Sequence, residues 1–261
     1  MEPDIDLTKP SAARVYDYYL GGAHNFAVDR EMAEQAIAMW PEVPLIMQAN
    51  RAFLRRAVEF CAAAGIDQFL DLGSGIPTVG NVHEVALARN PDARVVYVDN
   101  DPVAAAYSRT ILDGDPRTAV VREDLRDPEK VLNSPEVTDL LDLSRPVAVM
   151  TVAVLHFVDD PAPVIAAYRD AVVPGSHLVV SHATRDGQRA QADEHQDLYR
   201  RRTATPMTMR TKAQVEALFA GFDLVEPGVV HLPLWRPASP DDVDGRPERF
   251  AGLAAVGRKV P

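Results

Sequence analysis

Two hydrophobic periods divide this chain. From residue 11 to residue 66 apolar side chains recur at intervals of three and four, the spacing that gives a helix one buried face. Ser11 is placed to cap "ARVYDYYL", which Gly21-Gly22 closes, and "VDREMAEQAIAMW" makes a second helix stopped at Pro41. A third runs from about Pro44 to Ala64, with the proline in its first turn and Gly65 as its stop. Leu45, Ala49, Phe53, Ala57, Phe60 and Ala64 share one side of it, the expected inward stripe.

At residue 67 the period shortens. "QFLDL" (68–72), "RVVYVD" (94–99), "TAVVRED" (118–124), "PVAVMTVAV" (146–154) and "SHLVVSHA" (176–183) are short, β-branched and almost continuously apolar, as strands are when both faces are covered. "NVHEVALAR", "DPVAAAYSRTIL", the 128–141 segment and "APVIAAYRDAV" separate them as helices. That alternation implies right-handed crossovers and a doubly wound α/β sheet. After the helix "TKAQVEALFAGF" the rhythm breaks. "FDLVEPGVVHL" and "RFAGLAAVGRK" are joined by "RPASPDDVDGRPE" (236–248), which has no room for a helix, so this pair is expected antiparallel. The pattern predicts seven strands, mostly parallel with the last antiparallel. Residues 1–66 form a helical extension or lid on the core of 67–261, all in one structural unit.

Ligands of such a sheet gather at the carboxyl ends of its strands, so the strand ends carry the candidate chemistry. In "FLDLGSGIPTVG" (69–80) the first strand runs into Asp71 and then Gly73-Ser74-Gly75, where bare backbone can approach a ligand. Asp99 ends the second strand 24 residues after Gly75, the placement of a carboxylate that grips a ribose diol. Asp124 ends the third, where its carboxylate and the Leu125 amide can read an adenine edge. Three acids at consecutive strand ends describe a nucleoside pocket; helix caps in "DNDP" and "DLRDP" are the plainer reading of Asp99 and Asp124. After Gly75 no glycine follows until Gly80 and Pro77 intervenes, so the dinucleotide fingerprint fails and a nicotinamide oxidoreductase is disfavoured. A phosphate-free ligand with a positive centre suits a loop that holds Asp71. No phosphate-binding G-x-x-x-x-G-K-[ST] motif occurs.

Charge and composition narrow the partners. With 27 basic and 38 acidic residues the net charge is −11, which repels nucleic-acid backbones and favours a small-molecule partner. One cysteine, Cys61, excludes an internal disulfide. No apolar run is long enough for a membrane span and the N-terminus carries no secretory pattern, so a cytoplasmic chain is expected, as a monomer or homodimer. The seven histidines are scattered and no metal site is expected.

These residues resemble the class I S-adenosylmethionine-dependent methyltransferases. "FLDLGSG" is similar to their first motif, "VVYVDNDP" to their second-strand acid and "VVREDL" to their adenine site. More narrowly, "ARVYDYYLGGAHNFAVDR", "NRAFLRRAVEF", "GIPTVGNVHEVA" and "VAVLHFVDD" resemble an actinobacterial S-adenosyl methyltransferase family once catalogued as a domain of unknown function. The resemblance implies a Rossmann-like fold and S-adenosylmethionine as cofactor, and leaves the methyl acceptor open. It implies that Gly73, Ser74 and Gly75 pass under the methionine part with Asp71 near its ammonium. Asp99 and Asn100 would then hold the ribose, and Asp124 and Leu125 the adenine. The fourth strand's end, Thr151 to His156 with Ala153 and Leu155, would face the reacting methyl.

Two roles stay open for His156, a general base for a hydroxyl or amine acceptor and a structural histidine at the strand-to-helix corner. Arg14, Tyr16, Tyr19, Gly21, Gly22, His24, Asn25 and Phe26 are read as lid and acceptor wall, with a glycine hinge and aromatic faces that attract a sulfonium. Asn50 and Arg51 are placed to reach the methionine carboxylate, and His182 to line the same cleft. The charged 184–210 segment, helical at "AQADEHQDLYRRR", borders the acceptor side as a mostly solvated face. The rival to a methyltransferase is a regulatory protein that binds S-adenosylmethionine or its product without methyl transfer.

Overall fold

Runs that are apolar on both faces become the centre of one sheet. A computed structural model describes residues 8–77, 80–187, 189–203, 205–239, 243 and 245–261; the leader reading of residues 1–7 lies outside the described residues. Strands β1 (Gln68–Leu72), β2 (Arg94–Val98), β3 (Thr118–Val121), β4 (Ala148–Val152) and β5 (His177–Ala183) pair in parallel in the order β3-β2-β1-β4-β5. β1 is buried along its whole length, with Phe69 in register between Val95 and Ala148. β8 (Gly252–Lys259) then runs antiparallel against β5, and β6 (Phe222–Leu224) against β8.

Among the described residues the sheet has eight strands where the sequence pattern predicts seven. "FDLVEPGVVHL" is split, because Pro227 has no N–H to donate to a ladder and Gly228 turns the chain at φ 78°. Its second part, β7 (Val230–His231), pairs with β8 nearer the strand's start. The 236–248 connection also differs from expectation at its end, where a 3-10 turn begins at Pro247.

The helices are α1 (Ala12–Tyr19), α2 (Ala27–Met39), α3 (Val43–Ala63), α4 (Val82–Arg89), α5 (Pro102–Ile111), α6 (Pro128–Leu132), α7 (Pro135–Leu140), α8 (Pro161–Ala171), α9 (Arg189–Arg202) and α10 (Lys212–Ala217). The 128–141 segment is two helices because Pro135 disfavours helical backbone at Ser134. The buried stripe of α3 is Val43, Ile46, Asn50, Phe53, Leu54, Ala57, Val58 and Cys61. Leu45 is therefore exposed, at 43 %, and the expected stripe is rotated by about one residue. The larger apolar set at 43, 46, 54, 58 and 61 wins the inward side. Among the described residues no helix is long and apolar enough to cross a membrane.

Alternation along β1 separates two apolar layers. Phe69, Tyr97, Met150 and Val179 pack with Val15, Tyr19, Met32 and Phe53 of the N-terminal helices. Leu70, Val96 and Val149 pack on the other face with Val131, Ile165 and Tyr168. The first three helices are thus one wall of the core, and they overhang the carboxyl ends of the strands.

Candidate active site

Under that overhang lies a cavity of about 530 Å3, within the usual range for small-ligand sites. Its first end is the glycine loop. The Gly73 and Ser74 amides donate to the Val98 carbonyl at 2.8 and 3.1 Å, which folds the loop over the end of β2. Gly73 sits at φ 70°, and a Cβ there would lie 2.2 Å from the Val154 side chain. Gly75, at φ 64°, has no such neighbour within 4 Å among the described residues, and its missing side chain leaves space at the cavity wall. The Gly75 amide donates to Asp99 Oδ2 at 2.7 Å, and the Asp101 amide donates to Asp99 Oδ1 at 2.8 Å.

Two buried acids stand at this end. Burial lifts the Asp71 carboxyl to about 7, opposed by the Arg51 guanidinium and reinforced by Asp99. Burial lifts Asp99 to about 6, opposed by its two amide donors. Asp124 lies three residues past the end of β3 rather than on it. Arg126 pairs with it at 2.5 Å and holds it down at about 2, while Asn100 donates to it at 3.2 Å. Leu125 lines the same region, its carbonyl accepting from the Tyr168 hydroxyl at 3.0 Å.

The end of β4 is held by a chain of polar groups. Ala153 adopts left-handed backbone, φ 57°, unusual for a residue with a Cβ and characteristic of functional turns. Its amide donates to Ser181 Oγ at 2.9 Å, Ser181 Oγ donates to Asn50 Oδ1 at 2.5 Å, and Asn50 Nδ2 donates to Tyr16 Oη at 2.8 Å. The Tyr16 ring lies under the Arg51 guanidinium, 5.6 Å away. Arg51 Nε is buried with no hydrogen-bond partner among the described residues.

Leu155 is not in the cavity wall. It is fully buried in the opposite apolar layer, while its carbonyl accepts from Arg210 Nη1 at 3.0 Å. His156 does line the cavity and is buried; burial, with His182, His195 and Arg210 nearby, keeps its ring neutral well below the usual pKa. The Ala183 amide approaches its Nδ1 at 3.5 Å. His182 accepts from Arg210 Nη1 at 2.9 Å through Nε2, and its Nδ1 donates to the Ala183 carbonyl at 2.7 Å.

Of the lid residues, Arg14, Tyr16 and Tyr19 line the cavity, whereas Gly21, Gly22, His24, Asn25 and Phe26 do not. The expected hinge is a fastened loop. A Cβ at Gly22 would lie 2.0 Å from Asp17, whose Oδ2 accepts from the His24 amide at 2.8 Å and Asn25 Nδ2 at 2.9 Å. Phe26 carries the Arg14 guanidinium 5.3 Å above its ring. Arg14 itself is buried, donating to Asp29 at 2.8 Å and standing 3.6 Å from Asp101. Ser11 caps no amide with its side chain; its Oγ donates to Asp101 and its amide to Asp29.

Sequence reasoning missed Ser181, Asp101 and the inner side of α9. The last had a signal, since Ala192, His195 and Tyr199 step by three and four through an otherwise charged helix and are all buried. Ser181 had none, because it acts on residues distant in the chain, and the acid before Pro102 marks Asp101 only as the cap of α5, not as the partner of Ser11 and Arg14. Among the described residues no group of histidines, cysteines and acids is arranged to hold a metal ion.

Three comparisons bear on this geometry. No curated protein matches the chain. A protein from Thermobifida fusca, provisionally named a methyltransferase, shares 45 % identity over 99 % of this chain and 98 % of its own, with a TM-score of 0.92. A DUF574 family protein from Streptomyces avermitilis shares 41 % over 97 % and 99 %, with a TM-score of 0.93. The plantazolicin methyltransferase in complex with SAH shares the fold at 10 % identity, covering 95 % of each chain at a TM-score of 0.55. A family model described as S-adenosyl methyltransferase matches residues 1–260. With that match from end to end and two solved relatives of the same architecture, the chain belongs to the S-adenosyl methyltransferase family.

Proposed function

We propose that this protein binds S-adenosylmethionine beside the glycine loop and transfers its methyl to a small-molecule acceptor at the β4–β5 end of the cavity. One observation carries the reading. Arg51 Nε is a buried donor without a partner among the described residues, set close enough to the buried Asp71 to oppose its rise in pKa. An amino-acid zwitterion supplies the two missing partners, a carboxylate for Arg51 and an ammonium for Asp71. The open side of Gly75 and the Asp99 carboxylate suit the ribose next to it.

When bound, the cofactor supplies an electrophilic methyl on a sulfonium. The chain's part is alignment and exclusion of water. Asp99 holds the ribose end while Ala153 turns the β4 end toward the centre. Arg14 closes the roof through Asp29 and Asp101. The net charge of −11 supports a small acceptor over nucleic acid, and a cytoplasmic setting fits the absence of any apolar membrane-length run.

Calorimetric titration with S-adenosylmethionine, S-adenosylhomocysteine and NAD tests this. The expected result is micromolar binding of both sulfur compounds and none of NAD. No binding of either sulfur compound overturns the reading. Binding without formation of S-adenosylhomocysteine across an acceptor screen favours the regulatory alternative.

A further inference from the structure

We propose that the cavity end beneath α9 takes, as methyl acceptor, an uncharged planar aromatic molecule bearing a hydroxyl group, which hydrogen-bonds to His195. The word acceptor rests on the methyl-transfer reading above; the site itself rests on its own geometry. His195 projects from the inner side of α9, only 5 % exposed, and lines the cavity. Neither of its ring nitrogens has a hydrogen-bond partner among the described residues. A polar ring taken out of water without compensation marks a place where a ligand completes the bonding.

The surroundings define that ligand. Trp40 meets His195 edge-on at 5.9 Å, His195 meets Tyr199 at 5.1 Å, Tyr199 meets Phe157 at 5.7 Å, and Phe157 meets His156 at 4.3 Å. All five rings line the cavity, so they form one unbroken aromatic wall. Met207, Met209 and Leu54 add adaptable apolar surface. Asp71, Asp99, Arg51 and the Asp124–Arg126 pair gather instead at the β1–β3 end. Arg210 is held by the carbonyls of Leu155, Val158 and Asp159 and by His182.

Among the described residues of α9 and of the β4 and β5 ends, none that lines the cavity is an acid, a lysine or an arginine, so a charged acceptor finds no counter-ion there, and a saturated one finds hydrogen bonding but no use for the flat walls. Burial lowers the His195 pKa to about 4, so the ring is neutral at physiological pH with one donor and one acceptor nitrogen. A hydroxyl, itself donor and acceptor, matches either tautomer.

The test is calorimetry on protein saturated with S-adenosylhomocysteine, titrated with 2-naphthol, its saturated analogue 2-decalol, and 2-naphthoate. We expect 2-naphthol to bind at least about tenfold tighter than the other two. His195→Phe, which keeps a ring and removes the polar atoms, is expected to weaken 2-naphthol by about tenfold while S-adenosylhomocysteine affinity stays within about twofold. Equal affinity for the three compounds, no binding of 2-naphthol, or an unchanged affinity in His195→Phe overturns the proposal. Should S-adenosylhomocysteine itself fail to bind, the cofactor reading fails. The same three titrations on ligand-free protein then still decide the aromatic site.

Discussion

On the proposed reading, Asp71 and Asp99 tie cofactor affinity to pH and set it against stability. Both carboxyls titrate well above the ordinary range in the folded chain, at about 7 and about 6. The folded state thus keeps protons that the unfolded chain releases. The stability this contributes is full at acid pH and is lost as pH rises through the folded values. In Asp71→Asn that loss disappears. Relative to the parent, the ligand-free variant should gain thermal stability from about pH 4 to about pH 7 and level off above, as read by melting temperature in a matched buffer series. A difference that is flat with pH would count against Asp71 as the titrating group. Cofactor affinity should move the other way. A cationic ligand favours the ionised acids, so parental affinity rises over the same window, with proton release visible in buffers of different ionisation enthalpy. Asp99→Ala should weaken S-adenosylmethionine by about 1–3 kcal/mol, the cost of a hydrogen bond between a charged group and its partner. An unchanged affinity in the folded variant would reject Asp99 as the ribose ligand.

Among the elements, α1 is set by the polar groups that pin it as well as by its apolar side. Arg14 and Ser11 reach from it to Asp29 at the start of α2 and to Asp101 at the start of α5, and Asp101 also accepts from the first amides of α5. Removing Asp29 leaves the buried Arg14 with Asp101, 3.6 Å away, as its remaining carboxylate, so Asp29→Ala should cost about 1–3 kcal/mol in urea unfolding. A loss below about 1 kcal/mol would mean that the pair is already solvated. The same elements show what the sequence could and could not reveal. Asp71, Asp99 and Asp124 were legible because parallel strands deliver their carboxyl ends to one edge. The bond from Ser181 to Asn50 spans 131 residues and depends on how α3 crosses the sheet, which no local pattern encodes. Leu155 was misplaced for a related reason. The 3-10 turn after β4 sends successive side chains to opposite layers, so its neighbour His156 faces the cavity and it does not.

Across the whole molecule, the helices that precede the sheet share its apolar interior. Val15, Tyr19 and Met32 belong to the same cluster as Phe69 and Met150, and Trp40 and Trp235 are buried in that layer. Unfolding followed by tryptophan fluorescence and by far-ultraviolet circular dichroism should therefore give coincident transitions. An earlier fluorescence transition would show that residues 1–66 detach as a unit. Cys61 lies in the same layer, on α3. It is fully buried, and burial pushes its thiol up to about 12. With no other cysteine in the chain, the native protein should be silent toward maleimides at neutral pH. A cysteine installed at exposed Ala23, in the turn that joins the two roof helices, then becomes the only labelling site. One fluorophore placed there can report roof movement in real time, with no background substitution elsewhere.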